Sequence, residues 1–305
     1  MNKLQRSWLL LKSSLSIIGR NKQLLVFPVI IFTCTVAIVI FFLAPPVLRP
    51  TGYSYTSAQH WQAIYHSLFT DSNTGGREHV AFTPGALAYL AFLYFVAMFI
   101  GTFCNVAFYH EILVALSGQP VSIGRGLKFA SSRLGSILMW TLFAGLVGLI
   151  IKLIEERLDL IGRIIGKIIG VAWSVAAVFA IPVIVHEERN ANPFTVLRKS
   201  AEVLKRTWGE ALIGYAGLSI ANTFVALGSL IWLGGTIAVS IATHTFFFIP
   251  IAVVAWLVGL FIWSYVAGVA SNVYRGALYL YAAEGVVAEP YNQEMLDMAW
   301  KFRKS

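Results

Sequence analysis

From Ala211 to Tyr274 the chain carries no Asp, Glu, Lys or Arg, and Val80 to His110 is equally bare of them. A bilayer's hydrocarbon core takes about 20 consecutive apolar residues as helix, so the longer stretch holds two crossings and the shorter one. A barrel strand would alternate apolar and polar residues, and neither stretch does so. Helices are then the remaining way to satisfy every backbone N–H and C=O within lipid. Charged residues make up 12% of the chain and mean hydropathy is +0.74, against about 25% charged in soluble domains. The expected fold is therefore all-α and polytopic.

Six spans are expected, at about 24–43, 85–109, 135–153, 168–185, 211–239 and 250–281, within one integral membrane domain covering 1–305. A long polar connection at 47–84 faces one side, and a polar tail runs from 284 to 305. The N-terminal region does not read as a cleavable signal. Its basic segment is long, Leu24–Leu43 is span length, and Ala44-Pro45-Pro46 lacks a small-x-small site. Pro45, Pro46 and Pro50 are expected to end span 1, and Pro182 to kink the last turn of span 4. Within 47–84, Ala58–Phe69 reads as a short helix with Trp61, Ile64 and Leu68 on one side.

Short basic amphipathic segments precede the outgoing spans. Leu4, Trp8, Leu11, Leu15 and Ile18 recur at helical steps, with Arg6, Ser13 and Ser14 largely off that stripe. Such a helix lies flat in the interface or packs on its own spans, and the pattern allows both. Val121–Leu134 repeats the character with Arg125, Lys128 and Arg133. Asn192–Trp208 does so again, with Asn192 as N-cap, Pro193 at the first helical position, and Arg198, Lys199, Lys205 and Arg206 at seven-residue spacing. Lys152–Lys167 is mixed in charge and reads as an interfacial turn. The expected architecture is three hairpins, each introduced by an interfacial basic helix. Residues 3–116, 121–188 and 194–286 would then be parallel repeats, with Asn105-Val106 set against Asn272-Val273.

Of the 23 Lys and Arg, all but Arg49, Arg77, Lys152, Arg157, Arg163 and Lys167 fall on the side of the termini. The positive-inside rule places that side in the cytoplasm. A net charge of +9 gathered at span ends points to anionic headgroups and speaks against nucleic acid. Cys34 and Cys104 both lie in spans and offer neither a disulfide framework nor zinc spacing. His60, His66 and His79 share the polar connection without an i, i+4 pair, so no metal or other cofactor is expected.

Arg6-Ser7-Trp8 with Lys22-Gln23-Leu24-Leu25-Val26-Phe27-Pro28, then Phe103-Cys104-Asn105, and Ile181-Pro182 through Glu187, Pro193-Phe194, Arg198-Lys199-Ser200 and Trp208-Gly209, resemble a family of uncharacterised six-span bacterial membrane proteins. The chain is also distantly similar to the membrane domain fused to some glycerophosphodiester phosphodiesterases. The resemblance implies a bacterial inner membrane and a lipid context. It carries over no catalytic residue, since its motifs mark helix ends.

Two constellations stand out. His110 and Glu111, His186 with Glu187 and Glu188, and Glu284 place carboxylates at the ends of all three returning spans, with Arg275 one turn inside. Carboxylates at helix C-termini oppose the macrodipole, so this arrangement breaks a local rule three times. They would bind a cation or lipid amine, or hold the basic helices through Arg125, Arg198 or Arg275. Asn105, Asn222 and Asn272 lie within spans, where such residues usually glue helices together. No phosphate-cradling loop, nucleophile elbow or zincin motif occurs. Three readings stay open: a non-enzymatic component organising lipid or membrane-protein partners, a transporter or channel for a small molecule or lipid, and a lipid-headgroup enzyme. In the first, Arg6, Lys12, Arg125, Lys128, Arg198, Lys199, Lys205 and Arg206 meet anionic lipid.

Overall fold

The computed structural model describes residues 3–74, 77–157, 160–187, 191–293 and 296, leaving aside the side chains of 3–7, 71–79, 156–161, 207–222 and 224. Among them six helices are long and apolar enough to cross a membrane: Lys22–Val47, Pro84–Leu116, Leu134–Glu155, Gly162–His186, Val225–Ala242 and Phe248–Glu284. The protein is an all-α polytopic membrane protein.

Helix α1 (Lys3–Arg20) leads through a 3-10 turn at Lys22–Leu25 into α2 (Val26–Val47). A short helix α3 (Ala58–Leu68) and a hairpin of β1 (Phe69–Thr74) and β2 (Arg77–Phe82) connect to α4 (Pro84–Leu116). Then follow α5 (Ile123–Ser132), α6 (Leu134–Arg157), α7 (Leu160–Ala176), α8 (Ala180–His186), α9 (Pro193–Ala242) and α10 (Phe248–Glu284). Side-chain caps start several of them. Asn192 Oδ1 accepts from Phe194 N at 3.0 Å, and Thr83 Oγ1 accepts from Ala86 N at 3.3 Å, each ahead of a proline in the first turn.

Helix α4 is the hub, touching α2, α5, α6, α8 and α10. Its buried residues lie mostly in its second half, from Thr102 to Leu116, and those of α10 run mostly from Ala267 to Tyr279. These halves meet α1, α5, α8 and the start of α9 at the basic end of the bundle. The opposite halves, with the second half of α9, leave Phe92, Ile231, Trp232, Phe261 and Ile262 exposed, surface that suits lipid. The protein's packed core is thus gathered at one end.

Several expectations change. Helix α2 runs through Pro45 and Pro46 to Val47, because prolines in a last turn forfeit few hydrogen bonds. The connection at 47–84 contains a two-stranded sheet in the register Phe69↔Phe82 to Thr74↔Arg77, with the two rings 4.8 Å apart. Lys152–Lys167 is no separate turn, since α6 and α7 continue through most of it as one hairpin. Close approach at Gly166 allows this, where a Cβ would stand 2.6 Å from Glu155 Cγ. The basic segment after Asn192 does not stop at Trp208-Gly209. It is the first part of α9, a single helix of 50 residues and about 75 Å. One glycine costs a helix only about 1 kcal/mol, too little to break it here. Arg198, Lys199, Lys205 and Arg206 therefore stand on the same rod as span 5.

Helix α1 packs on α9 and α10. The face it buries carries Leu10, Leu11, Ser13, Ser14, Ile17 and Ile18, while Trp8 is 57% exposed. The two serines lie inside the contact instead of off it. Ser14 Oγ donates to the Leu10 carbonyl at 2.9 Å and lies 2.8 Å from the Tyr291 hydroxyl. Its single proton is spent on Leu10, so Tyr291 is the donor in the second bond. Burial pushes the Tyr291 phenol above its ordinary range, which keeps it a neutral donor.

Span 4 breaks before Pro182 rather than at it, between α7 and α8 at Ala177–Phe179. Proline has no N–H for the Val178 carbonyl, and its ring crowds that carbonyl. Two groups that the break leaves over, the Ala176 carbonyl and the Phe179 N–H, find a partner on α9. Ser200, fully buried, donates to the Ala176 carbonyl at 2.6 Å and accepts from Phe179 N at 3.0 Å. Irregular backbone at membrane depth persists only when satisfied in this way. Ser200→Ala orphans both groups and is expected to cost about 1–3 kcal/mol. A detergent-denaturation midpoint equal to that of wild type would refute this stitch.

Candidate functional site at the basic end

Helix α4 carries Glu111 to the corner where the chain turns into α5. Its side chain is fully buried. Oε1 accepts from Arg125 Nε at 2.9 Å and lies 3.0 Å from His110 Nδ1. Oε2 accepts from Arg125 Nη2 at 2.6 Å and from Ser122 N at 2.7 Å. His110 presents Nδ1–H to this carboxylate, and its ring stacks 4.0 Å from Phe129. The Arg133 guanidinium lies 5.2 Å from the centre of the same Phe129 ring. With four donors on two oxygens, Glu111 is a saturated anion, the arrangement that offsets burying a carboxylate. It has no lone pair left for a diffusible cation.

Glu187, just past α8, is bonded by Lys199 of α9 and is 18% exposed. Just before α9, Ala191 N donates to Ser136 Oγ of α6 at 3.1 Å. His186 Nδ1 lies 3.3 Å from Glu284 Oε1 at the end of α10. Arg198 bonds Glu202 at 2.9 Å on the outside of α9, and that arginine holds the exposed carboxyl below its ordinary range. Arg206 reaches the Ala282 carbonyl at 3.5 Å. Arg275 is also partnered. The helix-end carboxylates thus fasten one element to the next: Glu111 joins α4 to α5, Glu187 joins α8 to α9, and Glu284 joins α10 to α8. Glu188 lies outside the described residues.

Deeper in the bundle, Asn105 and Asn272 behave alike. Each donates through Nδ2 to a glycine carbonyl four residues back, Gly101 at 2.8 Å and Gly268 at 3.1 Å. Asn272 Oδ1 also accepts from Tyr109 at 2.8 Å, tying α4 to α10. The Asn222 and Arg6 side chains lie outside the described residues. Cys34 and Cys104 are free thiols, and among the described residues no three His, Cys, Asp or Glu side chains gather to hold a metal. His60 is buried in the outer connection, 2.6 Å from Thr51 Oγ1.

Sequence reasoning missed Ser200, Ser14 with Tyr291, and Gly126. Ser200 sits within the quoted Arg198-Lys199-Ser200 motif, where a small hydroxyl amid a buried stripe was the available signal. A Cβ at Gly126 would stand 2.9 Å from both the Ala107 carbonyl and Glu111 Cγ, so this glycine lets α5 reach Glu111.

Fold and site together define a polytopic helical membrane protein whose crossings are laced at one end by ion pairs. Residues 85–289 match the model of a family of unknown function, DUF6159, and the chain belongs to that family. No curated protein and no solved structure matches it.

Proposed function

We propose that the protein is a non-enzymatic, multi-pass component of a bacterial inner membrane, with both termini in the cytoplasm, that gathers anionic lipid around itself and presents that surface to membrane-protein partners. One observation carries this reading. Lys12 on α1, Lys128 on α5 and Lys205 on α9 are each exposed and make no hydrogen bond or ion pair among the described residues. Neighbouring basic residues are consumed by carboxylates, as Arg125, Lys199 and Arg198 are. Cations left over in this way at one end of a six-span bundle suit anionic headgroups. The likeness to a membrane domain attached to glycerophosphodiester phosphodiesterases adds a lipid context. The transporter reading draws less support, because Asn105 and Asn272 spend their amides on local carbonyls and on Tyr109.

The test is the lipid shell that leaves the membrane with the protein. Each Lys at an anionic surface contributes about 1 kcal/mol. Extracted in polymer discs, wild type is expected to enrich phosphatidylglycerol over the bulk membrane. The triple variant Lys12→Gln, Lys128→Gln, Lys205→Gln should lose about tenfold or more of that enrichment. Identical shells for the two proteins would end the proposal.

A further inference from the structure

A cavity of about 560 Å³ opens where the end of α1, the α4–α5 connection and the extended segment after α10 meet. Arg20 and Glu289 both line it, both are exposed, and neither makes an ion pair or hydrogen bond among the described residues. Two opposite charges lining one cavity and bonded neither to each other nor elsewhere are unusual here. Glu111, Glu187, Glu202 and Glu284 are all taken.

The backbone around the cavity favours a cation. Helices α1 and α4 both end at its wall, and α10 ends just before the lining segment Val286–Glu289. Helix C-termini carry partial negative charge from carbonyls without intrahelical partners. At α4 one of these is fixed by sequence, since Pro120 has no N–H to return to the Leu116 carbonyl. Gly118 and Gly285, at φ +79° and +72°, turn the chain out of α4 and α10 in the left-handed region. Beside this electronegative wall stands the Arg20 guanidinium, whose fork suits a phosphate. Ile17, Leu116 and Val287 supply an apolar floor. The cavity lies where α1 meets span 1 and where spans 2 and 6 end, at the basic end of the bundle.

We propose that this cavity binds the phosphoethanolamine group, its phosphate on Arg20 and its ammonium on Glu289 and the helix-end carbonyls. A primary ammonium brings three N–H donors to those oxygens, whereas a trimethylammonium brings none and a glycerol headgroup brings no cation. The inference deepens the lipid-organising reading by naming a headgroup, and it uses residues apart from the three lysines.

Native mass spectrometry of the full-length protein, released from micelles doped equally with dioleoyl phosphatidylethanolamine, phosphatidylcholine and phosphatidylglycerol, tests it. Wild type should retain the ethanolamine lipid over both others. Glu289→Gln should cut that adduct about tenfold and erase its advantage over the choline lipid. Arg20→Gln should weaken adducts of all three. Both side chains are exposed, so the variants keep the fold. Adding free phosphoethanolamine separates the two sources of the same chemistry. An adduct that persists assigns the site to the lipid, and one displaced at stoichiometric amounts assigns it to the soluble zwitterion. Equal retention of the three lipids, or an order unchanged by Glu289→Gln, overturns the proposal. The preference should survive in the triple lysine variant, so its loss and the loss of phosphatidylglycerol enrichment are read independently.

Discussion

Replacing Glu111 by Ala is expected to lower the thermal midpoint of the purified protein more than Glu187→Ala, and Glu187→Ala more than Glu284→Ala. The three side chains are 0%, 18% and 36% exposed, so water can re-solvate the abandoned partners progressively better along the series. At Glu111 the loss leaves the Ser122 amide, the His110 ring and the Arg125 fork without their acceptor. The orphaned Ser122 N–H alone is expected to cost about 1–3 kcal/mol. Glu111→Gln should rescue little. Each oxygen of Glu111 faces two donors, so an amide nitrogen in either place points N–H at N–H. Arg125→Lys should also fail to substitute, because an ammonium cannot reproduce two parallel bonds. Differential scanning fluorimetry on the three alanine variants gives the order directly, and Glu284→Ala as the worst would refute it.

The crossings were legible because lipid imposes a rule that single residues obey: charge is absent where the chain crosses and collects where it emerges. Val80–His110 and Ala211–Tyr274 announce themselves on that ground alone. The caps at Thr83-Pro84 and Asn192-Pro193 mark helix starts for reasons equally local. The break in span 4 was only half legible. Pro182 says that hydrogen bonding must fail nearby, but the position of the break depends on Ser200, which reaches it from α9. Helix α1 reads as one stripe through Leu4, Trp8, Leu11, Leu15 and Ile18. The face it buries shares only Leu11 and Ile18 with that stripe and takes in Ser14, whose partner Tyr291 comes from the far end of the chain. Trp208-Gly209 looked like a stop because glycine weakens a helix, yet the tertiary fold overrides so small a cost. The hairpin at 69–82 was missed for another reason. Its strands are short and polar, and Gly75-Gly76 was the signal for it. At the site, the carboxylates could be read from sequence, but their partners could not. A charge at a helix end has several cations within reach along the chain, and packing selects among them.

That selection rests on how closely α5 approaches α4, which Gly126 controls. The clash at Gly126 is partly with backbone, the Ala107 carbonyl, and a carbonyl fixed inside a helix cannot swing aside as a side-chain tip can. Gly124, on the same helix two residues earlier, has nothing within 4 Å of its would-be Cβ. The two positions share the helix propensity of valine, so comparing Gly126→Val with Gly124→Val removes that contribution and leaves the contact. Overpacking of this kind costs about 1–3 kcal/mol, and more where the obstacle is backbone. Gly126→Val is expected at or above the top of that range, since lifting α5 also pulls Arg125 and the Ser122 amide from Glu111. Gly124→Val should stay within about 1 kcal/mol of wild type. Trypsin reports the same event structurally. Cleavage after Arg125 and Lys128 should quicken in Gly126→Val and in Glu111→Ala but not in Gly124→Val, because only the first two variants free α5 from the corner that holds it. Equal cleavage in the two valine variants would mean that Glu111, not the close helix approach, keeps α5 in place.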